Sequence, residues 1–199
     1  ASPFKTARMA VPGRVGNRWA WVMAALFLSC NAEENKKPNA ESDTPVKTQV
    51  SAPSFDADSA YAYVAQQVAF GPRVPNTPEH AACASWLASE LERHGAEVTV
   101  QEGRVRAFDG TILNVKNIVG TFHPESRDRI LLFAHWDTRP FADKDTVRLR
   151  EPIDGANDGA SGVGVLLEIA RQLGLESADV GVDIVFFDAE DYGLSLIHI

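Results

Sequence analysis

The chain has 199 residues, 45% of them hydrophobic and 23% charged, which is enough for one sizeable core and ordinary for a soluble composition. Its formal net charge is −8, and since residues 1–30 hold four basic side chains (Lys5, Arg8, Arg14, Arg18) and no acidic one, the remainder carries 15 basic against 27 acidic groups. That sign excludes a nucleic-acid-binding face, which needs clustered cations.

Met9 reads as a start of translation, with residues 1–8 upstream of it. Arg14 and Arg18 precede an apolar run at 19–28, which meets Ser29-Cys30 and then polar sequence, the layout of a secretory signal over residues 1–30. Ten apolar residues are too few to cross a bilayer as a helix. Phe27-Leu28-Ser29-Cys30 resembles a bacterial lipobox, with Phe27 where such signals usually carry Leu. A lipid anchor through Cys30 and ordinary signal cleavage both remain open, and either places the protein outside the cytoplasm, in the periplasm or membrane-anchored. Residues 31–54 are rich in Glu, Lys, Asn, Ser and Pro and are expected to be a disordered linker. If Cys30 is acylated, Cys83 has no disulfide partner.

The folded part is expected over residues 55–193. Residues 59–70 pattern as a short helix, ended by Gly71-Pro72-Arg73-Val74-Pro75. Thr77-Pro78 has the form of an N-cap and first helical residue, and the helix it opens should stop at Gly95. On that helix Cys83 shares a face with Trp86, Leu87 and Leu91 and is read as a buried structural thiol. Residues 97–101 and 112–122 read as strands, and residues 130–134 as a strand covered on both faces. Apolar residues at helical spacing predict a helix from Gly159 that stops at Gly174, and residues 182–187 form a second buried strand. Strand, helix and strand in this order make a crossover, so both strands point the same way and bring His135 and Glu190 to one sheet edge. An α/β fold follows, with a mixed, mostly parallel central sheet flanked by helices.

Three motifs carry chemistry. His135 and Asp137 are two apart in extended chain and share a face, and an imidazole held by a carboxylate is a common metal-ligand arrangement. Asp158 lies among Gly155, Gly159 and Gly162, as a ligand-facing carboxylate, as the N-cap of the following helix, or as both. Glu190 and Asp191 follow a strand. Neighbouring carboxylates resist joint ionisation unless a cation is near, so one can coordinate a metal while the other moves protons. Histidine with carboxylates favours zinc over magnesium or calcium. His80, His94 and His123 fall on a helix or in loops and are read as surface residues, and residues 143–150 as a solvated mixed-charge loop.

His135-Trp136-Asp137-Thr138-Arg139-Pro140, the stretch Gly155-Ala156-Asn157-Asp158-Gly159-Ala160-Ser161-Gly162-Val163-Gly164, and Asp188-Ala189-Glu190-Asp191-Tyr192-Gly193 resemble, in that order, the signatures of the M28 zinc peptidases and their glutaminyl cyclase branch. The resemblance, over roughly residues 70–193, implies a zinc aminopeptidase-like fold and a zinc enzyme acting on peptide or protein N-termini. It makes Asp158 and Asp191 metal ligands, His135 a further ligand in a two-zinc peptidase but only a neighbour of the metal in a cyclase, Glu190 the general base and acid, and Asp137 the carboxylate behind His135. Asp191 stands where the family usually has Glu. One zinc is implied for a cyclase forming pyroglutamate with loss of ammonia, two for an aminopeptidase. A non-catalytic exported binding lipoprotein on the same scaffold is the rival of another class. The family's final histidine ligand has no counterpart here. Residues 194–199 match one reading frame of a sequencing-library adapter, so an artefactual tail on an incomplete, inactive fragment is expected, and His198 is not recruited as a ligand.

Overall fold

A computed structural model describes residues 52–192. The expected signal, the linker up to residue 51, Gly193 and the tail at 194–199 lie outside the described residues. Element order is α1 (Ala57–Ala69), α2 (Pro78–Arg93), β1 (Glu97–Arg106), β2 (Ile112–Phe122), β3 (Arg129–His135), α3 (Ala160–Leu175) and β4 (Gly181–Phe187).

Local chemistry sets most of these boundaries. Asp56 caps α1, its carboxylate accepting the backbone N–H groups of Asp58 and Ser59. Thr77 caps α2 by accepting the His80 N–H, with Pro78 in the first turn where its missing N–H costs nothing. The left-handed Gly95 (φ +91°) closes α2. β1 runs five residues past the expected end, to Arg106, because its length is set by pairing with β2 (Glu97↔Thr121 through Arg106↔Ile112) and not by apolar alternation. α3 passes through Gly174 to Leu175. Gly174 is an approach point rather than a stop: a Cβ there would lie 2.4 Å from the His94 carbonyl oxygen.

The four strands lie in the order β1-β2-β4-β3. The sheet is mixed as anticipated, but its parallel content is lower than expected among the described residues. β1–β2 and β2–β4 are antiparallel and only β3–β4 is parallel. The short turn at 107–111 makes β1 and β2 a hairpin, whereas α3 carries the chain back so that β4 runs alongside β3.

One sheet face carries the core. Ile118, Phe122, Val182, Ile184 and Phe186 pack with Leu132 and Ala134 against Leu87 and Leu91 of α2 and Val163, Leu167 and Ala170 of α3. On the other face Leu131, Phe133 and Phe187 are 57%, 64% and 40% exposed, so β3 is not covered on both faces among the described residues. Cys83 is fully buried in the core, as its helical face implied, and burial pushes its thiol up to about 12.

Candidate metal centre at the ends of β3 and β4

Because β3 and β4 are parallel neighbours, with His135 opposite Phe187, the segments after both strands leave from one edge. The Trp136 N–H donates to the Phe187 carbonyl at 3.0 Å and extends this pairing by one step. Beyond it, Asp137 is fully buried and joins the two ends: Oδ1 accepts the Glu190 N–H at 3.1 Å and Oδ2 the Asp191 N–H at 3.0 Å. Its distance to His135 Nδ1 is 3.5 Å, too long for a strong hydrogen bond. Asp137 therefore fixes the Glu190–Asp191 turn at least as firmly as it supports the histidine.

Asp158 reaches the same point from the start of α3. Gly155, with φ +59°, lets the loop turn where a Cβ would meet Thr138 Cγ2 at 2.4 Å, and Gly159 provides the helix cap position without any side-chain capping bond. Asp158 is thus not the N-cap. Its Oδ1 meets His135 Nε2 at 3.1 Å, and the side chain is 56% exposed. Arg73, read in sequence only as part of a helix-ending segment, is fully buried and donates to the carbonyls of Trp136, Asp154 and Gly155, binding the Asp158 loop to the end of β3.

Three carboxylates, at 137, 158 and 190, lie against one imidazole, and Asp191 follows Glu190 in the same turn. Glu190 Oε2 lies 3.7 Å from His135 Nδ1. Asp137 first, then the charges of Glu190 and Asp158, hold the His135 imidazole protonated up to about 9 against the cost of burial. Asp191 is 4% exposed; burial pushes its carboxyl above the usual range while Arg139, whose Nε donates to Oδ1 at 2.9 Å, pulls it back. Its Oδ2 is buried without a hydrogen-bond partner, as are His135 Nδ1 and Thr138 Oγ1. Burying an acceptor unpaired is costly, so Asp191 Oδ2 points to a cation as its partner. Among the described residues no three His, Cys, Asp or Glu side chains already close on one cation-sized point. Asp158 is turned to His135 Nε2 and Arg139 holds one oxygen of Asp191.

His80 and His94 are 2% and 7% exposed, which corrects their reading as surface residues. His80 meets Asp188 and His94 bonds Tyr63, contacts that sequence distance conceals. In the 143–150 loop, Asp143 pairs with Arg139 at 2.9 Å.

The profile of peptidase family M28 matches residues 117–195, a span containing His135, Asp137, Asp158, Glu190 and Asp191. A solved glutaminyl cyclase of Tannerella forsythia is 60% identical with a TM-score of 0.71, the alignment covering 74% of this chain and 51% of that one. Residues 117–195 of the chain are thus similar to peptidase family M28. A solved Zn-dependent exopeptidase of Parabacteroides distasonis is 61% identical with a TM-score of 0.70, covering 72% of this chain and 50% of its own. Aminopeptidase YwaD of Bacillus subtilis is 34% identical over 94 residues, 46% of this chain and 18% of that protein. The chain thus spans about half the length of these two solved proteins.

Proposed function

We propose that the chain is part of an M28 enzyme and supplies Asp158, Asp191 and Glu190 to a zinc site that converts an N-terminal glutamine into pyroglutamate with release of ammonia. The observation that carries this reading is the buried, unpartnered Oδ2 of Asp191 beside the exposed carboxylates of Asp158 and Glu190. An oxygen donor without a hydrogen-bond partner, in a pocket where carboxylates outnumber cationic groups, fits a divalent ion, and histidine nearby fits zinc.

Zinc, when bound, supplies a Lewis acid for the side-chain carbonyl of the substrate glutamine. The chain's own residues then manage the proton. Glu190 takes it from the attacking α-amino nitrogen as the new C–N bond closes the ring, and returns it to the departing amide nitrogen, which leaves as ammonia when its bond to the carbonyl carbon breaks. Asp137 holds the Glu190 and Asp191 amides, so acid–base group and metal ligand move as one unit. Arg139 occupies Asp191 Oδ1 and leaves it one oxygen to offer, which supports one ion over two.

The second reading is an aminopeptidase in which Glu190 activates water; the likeness to aminopeptidase YwaD and to a Zn-dependent exopeptidase favours it. Incubating the zinc-loaded full-length protein with a glutamine-initiated peptide separates the two. Ammonia release with the peptide intact supports the cyclase, and release of a free amino acid supports the peptidase. A Glu190→Gln variant that still works at the parental rate removes Glu190 from either scheme.

A further inference from the structure

The turn bearing Glu190 and Asp191 is held by a second carboxylate for which the reaction has no direct use. Asp188 Oδ1 accepts the Ala189 N–H at 2.7 Å and Oδ2 accepts the Lys116 N–H at 2.6 Å, while the Asp188 N–H donates to Asn117 Oδ1 at 3.1 Å. Ala189 sits at φ +62°, a left-handed conformation that is disfavoured for a residue with a Cβ and persists only where its surroundings enforce it. The bond from its N–H to Asp188 is one such restraint, and the Asp137 bonds to the next two amides are the others.

Asp188 is itself clamped. His80, from the first turn of α2, places Nε2 at 2.9 and 2.8 Å from the two Asp188 oxygens, with the side chains 2% and 0% exposed. An ionised carboxylate only accepts, so Nε2 carries the proton. The imidazole is locked by stacking on Trp136, with ring centroids 4.4 Å apart and planes 22° apart, and the indole N–H of Trp136 donates to the Lys116 carbonyl at 3.2 Å. The four residues close a frame: helix to imidazole, imidazole to carboxylate, carboxylate to the β2 backbone, and the indole back to that same strand.

We propose that His80 is a positioning residue for Glu190 and Asp191, holding Asp188 so that the strained Ala189 turn aims both carboxylates into the site. This deepens the proposed function and rests on it for the identity of the reaction. His80 touches neither substrate nor metal. Its removal loosens the turn by freeing Asp188, with an effect of the size seen when a ligand-orienting partner is lost, about 10- to 100-fold in affinity or activity.

The test compares four full-length proteins: parent, His80→Ala, His80→Gln, whose amide can still donate to Asp188, and Leu87→Ala, which opens the α2 core without touching the frame. Three quantities are read: zinc affinity by competition with a chromophoric chelator, hydrogen exchange of metal-free protein over residues 188–192, and kcat and KM for the glutamine-initiated peptide. His80→Ala is expected to bind zinc about tenfold more weakly, to exchange faster over the turn, and to lose kcat about tenfold or more with KM within about twofold. His80→Gln should recover most of this. Leu87→Ala should lower the melting temperature and leave zinc affinity and turn exchange near parental values. Parental zinc affinity and turn exchange in His80→Ala overturn the proposal, as do equal losses in Leu87→Ala. A parent that binds zinc but forms no pyroglutamate refutes the cyclase, while zinc affinity and exchange still decide the role of His80.

Discussion

His135 and Asp158, 23 positions apart, meet at 3.1 Å between Nε2 and Oδ1 across the gap between the end of β3 and the start of α3. Under the proposed function, this contact takes up Asp158 Oδ1, an oxygen that zinc binding would draw away from His135. Asp158 contributes little to folding, since it is 56% exposed and caps no helix. Asp158→Ala should leave stability within about 0.5 kcal/mol of the parent, the usual range for surface changes. Zinc affinity by chelator competition should nonetheless fall at least tenfold. Unchanged affinity removes Asp158 from the donor set.

At Gly174 two effects oppose each other. Alanine is the better helix former by about 1 kcal/mol, which alone makes Gly174→Ala stabilising. The added Cβ would stand 2.4 Å from the His94 carbonyl oxygen, part of the backbone that closes α2 and unable to swing away like a side-chain tip. Overpacking costs about 1–3 kcal/mol, so the contact prevails and the variant should melt several degrees lower. A rise in melting temperature by calorimetry contradicts the close approach of α2 and α3.

The parts legible in sequence were those whose chemistry is local. β3 and β4 are apolar runs and α2 has a Thr-Pro start and a glycine end, so the arrival of His135 and Glu190 at one edge followed from the chain order. β1 past Gln101 has no apolar alternation and exists because β2 supplies its hydrogen bonds. The burial of Arg73 and of His80 is illegible in sequence for a shared reason: their partners are backbone carbonyls and an aspartate tens of residues away, so nothing nearby in sequence marks either group as buried. Gly174 has the sequence signature of a stop, and only the path of α2 shows that it clears space. The apolar run in β3 implied cover on both faces, yet Leu131 and Phe133 stand exposed on one.

Cys83 gives a direct measure of core integrity. It is fully buried, and burial raises its thiol to about 12 although Arg73 draws it down. A nucleophile that is neither ionised nor accessible reacts only when the core opens. In native protein at pH 8, Cys83, followed by peptide mapping apart from Cys30, should therefore be inert to a disulfide reagent and become reactive across the same denaturant range in which ellipticity is lost. Rapid native labelling at Cys83 would place α2 differently.

Glu168 links acid sensitivity to a particular joint. From inside α3, its fully buried carboxylate accepts from Arg171 at 2.7 and 2.9 Å, from Gln172 at 2.7 Å, and from the N–H of Asp56 at 3.0 Å, the residue that caps α1. Arg171 first, then the bonds from Gln172 and Asp56, lower the carboxyl to about 2 despite burial. Unfolded, the group titrates near 4.3, so the unfolded chain takes up a proton over a range where the folded one does not. The stabilisation is complete above about pH 4.5 and is lost as pH falls toward 2. Arg171 is 28% exposed and solvent screens part of the attraction, so we set the contribution at about 2 kcal/mol at neutral pH rather than at the full value of the shift. Glu168→Gln should cost about that much at pH 7 by urea unfolding, and its deficit should shrink between pH 4.5 and 2 as the parent loses what the variant never had. A deficit that stays constant through that window places the stabilising contact elsewhere than on the ionised carboxylate.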